Sequence, residues 1–389
     1  MRFVHVGDDR EEAEERRLFF AHVDEVLTDA VTACVEADWE GVHDTLREAV
    51  ARVHAGLDVD LLSESDGARL VVMTPRGERR LRPLAAAVVA RMNPAGGVRF
   101  ASLRPPRSFA ETCEDVRREL GFDLTRAHAR AGFARGHLLD LVLYAEGWSA
   151  ADENAVAAAE RAVEGLLGER VLDDWVSRVD VEARAPSGPL RVIQKGQVET
   201  FPLVELPQAV AAAVEGLSGE LPDISRLGVL REGWVLFEAE PEASTDYAAQ
   251  DDVALAASAL PEMLKCYLEG APFSSLRFVR GGAKLAYLKI DAQGVSYEDR
   301  VRERARLEDE LSAALAPSGL GAVVGNGLGL RYAYVDLALA PNPAAWDIVC
   351  EVARAAGASK RSWIQFFDSD LADEWLGVWP NTPRPPGLG

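Results

Sequence analysis

Two runs decide how this chain is read: Leu-Gly-Leu-Arg-Tyr-Ala-Tyr-Val-Asp-Leu-Ala-Leu-Ala (328–340) and Trp-Ile-Gln-Phe-Phe-Asp-Ser-Asp-Leu-Ala-Asp-Glu-Trp-Leu-Gly-Val-Trp-Pro (363–380). Arg331–Ala340 has the aromatic and aliphatic content of a buried strand, Pro343–Ala356 has helical spacing, and Trp363–Asp368 is a second strand. Together they predict a closing βαβ unit followed by an acidic, tryptophan-rich turn. Four of the eight tryptophans (Trp346, Trp363, Trp375, Trp379) fall in this region.

Working outward, the second half predicts strands at Trp234–Glu238, Leu276–Val279, Lys284–Asp291 and Gly321–Val324, with helices at Asp251–Leu268 and Ser296–Leu315. Gly325-Asn326-Gly327-Leu328-Gly329 lacks a helix after it, so a dinucleotide loop is excluded and Asn326-Gly327 reads as a hairpin turn. Thr382–Gly389 is proline-rich and expected to be loose. In the first half, residues 9–55 read as one long helix or a broken helix pair, and Leu57–Ser63 and Arg69–Thr74 are strands joined through Asp66-Gly67. A helix at Leu81–Met92 and a strand at Val98–Leu103 come next. Ser108 and Glu111 then form a capping-box pattern. Strands Ala127–Phe133 and Leu138–Ala145, a helix after Ser149 and a strand at Val179–Ala183 complete the half.

Ala185-Pro186-Ser187-Gly188-Pro189 is the best linker, which sets an N-terminal domain at 1–185, a connector at 186–233 with a helix at Pro207–Gly216, and a C-terminal domain at 234–389. The fold class expected is α+β: two domains of mainly antiparallel sheet with helices packed on one face. A ferredoxin-like, duplicated architecture is the particular form considered. Both halves run a hairpin strand into a helix and a last strand, Leu139–Tyr144 in one and Val335–Ala340 in the other.

A net charge of −21 over 389 residues opposes general nucleic-acid binding and adsorption to anionic membranes. The nearest basic patch, Arg76, Arg79, Arg80 and Arg82, reads as a solvated helix start. No apolar window approaches 18 residues, and the opening Met-Arg-Phe-Val-His-Val-Gly-Asp-Asp-Arg lacks a leader pattern. Cys34, Cys113, Cys266 and Cys350 are widely spaced, as free thiols of a reducing cytoplasm would be. The Ala, Arg, Gly and Glu bias points to a GC-rich bacterial source.

Leu70-Val71-Val72-Met73-Thr74-Pro75-Arg76-Gly77, with Val98–Pro105 and then Ala157–Val163 and Leu166-Leu167-Gly168-Glu169, resembles a pattern in a family of uncharacterised bacterial cytoplasmic proteins. The resemblance spans about residues 40–183. Gly96-Gly97 stands where that pattern has an aromatic residue, and no activity or functional residue comes with it.

Several chemistries are absent by motif. There is no Gly-x-Ser-x-Gly elbow, phosphate loop, His-Glu-x-x-His or zinc-spaced cysteine pair. His128 and His137 read as strand histidines, and the charged helix at 296–315 as a solvated face. The candidate binding residues are Asp336, Asp368, Asp370, Asp373 and Glu374, with Trp375 and Trp379. Clustered carboxylates at strand ends could hold Mg²⁺ or Ca²⁺ or act as an acid/base pair, and tryptophans mark interfaces. Against this, the carboxylates also suit turn caps on an acidic surface and the tryptophans suit a core. The expectation is a non-enzymatic cytoplasmic protein-binding protein (adaptor, regulatory or immunity-type), without cofactor, meeting a partner with a basic surface. The alternative is a metal-dependent hydrolase or small-molecule binder using the C-terminal carboxylates.

Overall fold

The computed structural model describes residues 2–4, 10–36, 39–63, 67–92, 97–183, 200–227 and 234–388. The chain starts with helices α1 (Arg10–Glu36) and α2 (Trp39–Val53) and strands β1 (Asp58–Ser63) and β2 (Arg69–Thr74). Helix α3 (Arg82–Val89), β3 (Val98–Ala101) and α4 (Phe109–Leu120) precede the hairpin of β4 (His128–Phe133) and β5 (Leu139–Tyr144). Next come α5 (Glu153–Trp175), β6 (Val176–Glu182), β7 (Phe201–Pro202), α6 (Leu206–Glu220) and α7 (Ile224–Leu227). Then follow β8 (Val235–Glu238), β9 (Val253–Ser258), α8 (Pro261–Leu268), β10 (Lys284–Asp291) and α9 (Tyr297–Leu315). Strands β11 (Gly321–Gly329) and β12 (Tyr332–Leu339), helix α10 (Pro343–Ala355), and strands β13 (Ser362–Phe366) and β14 (Trp375–Gly377) close the chain.

Helix starts follow local chemistry. Ser108 and Glu111 make the capping box of α4, Ser296 accepts from Asp299 N at the start of α9, and Asn342 with Pro343 opens α10. Each side-chain oxygen satisfies a backbone N–H that the first turn leaves without an intrahelical acceptor.

The class is α+β. The chain divides into two compact units, one of Met1–Ala30, Glu78–Arg91 and Leu221–Gly389, the other of Val31–Gly77 and Met92–Glu220. The linker expected at 185–189 lies outside the described residues. The second unit holds a three-stranded sheet, β1-β2-β3, and a four-stranded sheet, β6-β5-β4-β7. In it β2 pairs β3, and β5 pairs β6, in parallel. The first unit holds a seven-stranded sheet, β14-β13-β10-β12-β11-β9-β8, antiparallel at every pairing. The units do not share one strand order. Helix α5 returns the chain to a strand beside β5, whereas α10 returns it to β13, with β10 lying between β13 and β12.

One face of the large sheet is covered by α9 and α10, through Leu307, Leu311, Trp346 and Val349 against Leu288, Val335 and Ile364. Helices on one face alone were expected, but the other face is covered too. Met263 and Leu264 of α8, with Phe273 and Phe278, pack on Tyr287, Tyr332, Tyr334 and Trp363. An antiparallel sheet with aromatic side chains on its second face needs that cover, because leaving those rings in water would forfeit their burial energy. Among the described residues no helix is long and apolar enough to cross a membrane.

Four local expectations are corrected. Residues 251–268 hold strand β9 before α8, because Pro261 occupies the first helical turn and stops the helix extending backwards. Residues 276–279 contain the end of a single 3-10 turn, Ser275–Arg277. The glycine run at 325–329 is strand, with no turn in it. A Cβ at Gly325 would meet Asp336 Oδ2 at 2.6 Å and Ala257 O at 2.8 Å, and one at Gly329 would meet the Asp252 carboxylate at 2.2–2.5 Å. These glycines are there for space. Finally, the 382–388 segment is docked: Trp363 Nε1 donates to Pro383 O at 2.6 Å, and Thr382 is buried.

Gly325→Ala is therefore expected to cost about 1–3 kcal/mol in urea denaturation, the usual penalty for overpacking a filled core. A loss within error would show that the strand can shift to admit the methyl.

Candidate functional site

The carboxylates singled out from sequence do not converge. Asp368 is buried and accepts from Ser275 N (3.0 Å), Ser275 Oγ and Lys284 Nζ (3.2 Å). Asp370 takes two bonds from Arg82 Nη1, at 3.0 and 3.1 Å. Arg82 is thus buried, contrary to the solvated helix start expected for it. Glu374 accepts from Phe3 N at 2.7 Å and Val4 N at 3.1 Å, while Asp373 lies at the surface. Among the described residues no group of three or more His, Cys, Asp or Glu could hold a metal ion. The tryptophans are half-buried and engaged: Arg2 stacks 4.1 Å above Trp375, and Trp379 Nε1 donates to Ala358 O at 3.0 Å.

Asp336 belongs to a different arrangement. The registers place Trp375, Gln365, Tyr287, Asp336 and Gly325 directly opposite one another across β14, β13, β10, β12 and β11. Directly opposed residues share a face, so this is one row on the aromatic side of the sheet. Asp336 is fully enclosed; Gln250 Nε2 donates to its Oδ1 at 3.2 Å, and burial pushes its pKa up to about 7. Beside the row, the buried Asp252 accepts from Arg331 N and Tyr332 N, both at 2.8 Å, and from Tyr334 Oη. Lys289 is equally buried, donates to Tyr247 O (2.6 Å) and Ala249 O (2.8 Å), and is pushed down to about 8 by desolvation.

A cavity of about 240 Å³ opens on this face, beneath Pro386, Gly387 and Leu388. Its walls are Tyr267, Phe273, Tyr287 and Phe367; Tyr267 and Tyr287 stand edge-on to Phe367, with centroids at 4.9 and 5.1 Å. Burial pushes Tyr267 up to about 12 and Tyr287 well above its ordinary value, so both stay protonated. Gln365 lines the same space. It is only 4% exposed, and its buried Oε1 has no hydrogen-bond partner. A buried carbonyl oxygen left unpaired costs about 1–3 kcal/mol, so its persistence needs an explanation.

Gln365 was missed in the sequence although a signal was present. In Trp363-Ile364-Gln365-Phe366-Phe367 it occupies the two-residue period shared by Trp363 and Phe367, a polar side chain on a core-facing position. A larger cavity, about 630 Å³, lies in the other unit among Arg104, Arg107, Arg161, Asp60, Asp115 and Glu164. Its charges are already matched. Asp115 is held by Arg107, Arg118 and Arg161, and Arg104 by Asp60 and Glu164. No protein-family model, curated protein or solved structure matches this chain.

Two outcomes test this geometry. Gln365→Leu is expected to raise stability by about 1 kcal/mol or more, because it removes an unpaired buried polar group while keeping the volume; a loss of stability would mean that the amide is satisfied in the folded state. Asp336 has a folded pKa above its unfolded value near 3.8, so its contribution is complete below about pH 4 and lost as pH rises through about 7. Asp336→Asn should therefore flatten the stability profile between those values and leave the variant more stable than wild type at pH 8, as read by denaturant midpoints.

Proposed function

We propose that the C-terminal part of the chain is a binding module for a small molecule and performs no chemistry on it. One observation carries this reading: an aromatic-walled cavity of about 240 Å³ has the polar side chain of Gln365 among its lining, on a core-facing strand position. Largely preformed apolar pockets with a few aimed polar groups are the usual form of ligand sites. The ionisable groups on its wall favour binding over catalysis. Tyr267 and Tyr287 are held protonated, and all the hydrogen bonds to Asp368 named above come from the protein. The unit that supports the cavity, β10-α9-β11-β12-α10-β13 in sheet order β13-β10-β12-β11, is read here as a ferredoxin-like split βαβ with extra strands on both edges.

The test is a fragment titration of the full chain followed by tyrosine-ring and glutamine side-chain NMR. Binders should perturb Gln365, Tyr267 and Tyr287 together. Ala271→Phe, which fills the cavity from its wall, should abolish those shifts while the rest of the spectrum is kept. Shifts that survive Ala271→Phe, or no shift from any fragment, would end the reading.

A second reading, a protein-binding role, rests on β8. It is the outermost strand of the seven, and Val235 and Leu236 are 41% and 64% exposed on it. Strand edges with exposed apolar side chains recruit further strands. A partner that is retained by wild type and lost by Leu236→Lys in affinity capture would support it; retention by both would remove it.

A further inference from the structure

We propose that a second cavity, on the opposite face of the large sheet, takes a small monocarboxylate whose apolar body lies on the sheet and whose carboxylate pairs with Arg300. This site shares no lining residue with the aromatic cavity and does not depend on that reading.

The cavity measures about 310 Å³ and lies between the first half of α9 and the residues that follow α10. The registers set Ile290 of β10 opposite Ala333 of β12, so the two share a face. With Val295, Leu307, Ala356 and Ala358 they give the cavity an aliphatic lining. These side chains favour burial of an apolar body but cannot orient it. The volume, at the small end of the usual range for ligand pockets, limits that body to single-ring dimensions.

Charge is decided by which groups are already committed. Asp291, Arg300, Glu303, Arg304 and Arg306 are the charged residues among the described lining. Asp291 is held by Arg331 at 2.7 Å and Arg361 at 3.1 Å. Arg304 pairs with Glu308 at 3.1 Å and donates to Asn326 Oδ1. Arg306 donates to Ala356 O at 3.1 Å, and Glu303 is exposed to solvent. Arg300 is the exception: among the described residues no carboxylate lies within ion-pairing distance of it.

In a chain of net charge −21, a half-buried guanidinium without an acidic partner is out of keeping with its surroundings. Nor is it loose. Its Nη1 donates to Gly329 O at 2.9 Å and Leu330 O at 3.3 Å, and its Nε is enclosed. Nη2 is neither bonded nor enclosed, which makes it the nitrogen left for a ligand. The turn between β11 and β12 thus holds the cation in place beforehand, which lowers the entropic cost of pairing. One uncommitted cation matches one negative charge, and a carboxylate suits the guanidinium plane. A phosphate monoester would bring close to two charges, and an ammonium would be repelled.

The experiment titrates the full-length chain by methyl NMR with matched probes: cyclohexanecarboxylate, cyclohexanecarboxamide, dianionic cyclohexylphosphonate and cyclohexylammonium. In wild type the carboxylate is expected to shift the Ile290, Val295 and Leu307 methyl signals. It should bind at least about ten-fold more tightly than the amide, the scale of a hydrogen bond to a charged group. Arg300→Met keeps a long side chain and removes its charge; there the carboxylate should fall to the affinity of the amide, which itself should be unchanged. A carboxylate preference that survives Arg300→Met would place the anion at another residue and overturn the assignment. Equal binding of carboxylate and amide to wild type, a preference for the phosphonate or the ammonium, or no shift from any probe would each overturn it as well, and those comparisons need no variant.

Discussion

The large sheet depends on the room that glycine leaves beside three polar side chains. On β11, Gly325 faces the Asp336 carboxyl, Gly327 lies against the Tyr334 ring, and Gly329 makes way for Asp252. Any side chain at 325 or 329 would occupy space that these carboxylates now fill. Asp252 in turn holds the turn between β11 and β12 by accepting from Arg331 N and Tyr332 N. A buried carboxylate is tolerable only when its lone pairs are met, and here two backbone donors and the Tyr334 hydroxyl meet them. The β11–β12 hairpin, its register and the position of β9 beyond it all follow from that fit.

The same face explains why a cavity can form. Tyrosines and phenylalanines cannot interdigitate as closely as branched aliphatic residues when their hydroxyls and edges must also find partners. The opposite face, under α9 and α10, is filled mainly by leucine, valine, isoleucine and alanine, with Trp346 and Phe366 among them. One sheet therefore has a face built for packing and a face with polar groups placed among rings. Asp336, Lys289 and Gln365 all lie on the second face. Asp336 and Lys289 have partners within the protein, whereas the Gln365 carbonyl oxygen has none.

Much of the C-terminal fold was legible. The helices at 296–315 and 343–356 and the strands near 284–291 and 331–340 were all visible as periodicity, because each element's own residues define its buried face. Strand β9 was misjudged because Val253-Ala-Leu-Ala-Ala-Ser258 has small residues that suit either period, and only pairing with β11 and β8 makes it a strand. The acidic turn misled for a similar reason. Asp368, Asp370 and Glu374 look like a cluster in sequence, yet their partners are Ser275, Arg82 and the backbone of Phe3 and Val4, all distant along the chain.

Sequence by itself determined the class of fold, the helix starts at Ser108 and Ser296 and the aromatic character of the closing strands, since these depend on neighbours within a few residues. Only the tertiary structure decided that Trp375, Gln365, Tyr287, Asp336 and Gly325 form one row. Strand order and register are set by long-range packing, which no local pattern encodes. They placed the glutamine between Tyr287 and Trp375 on the aromatic face of the sheet.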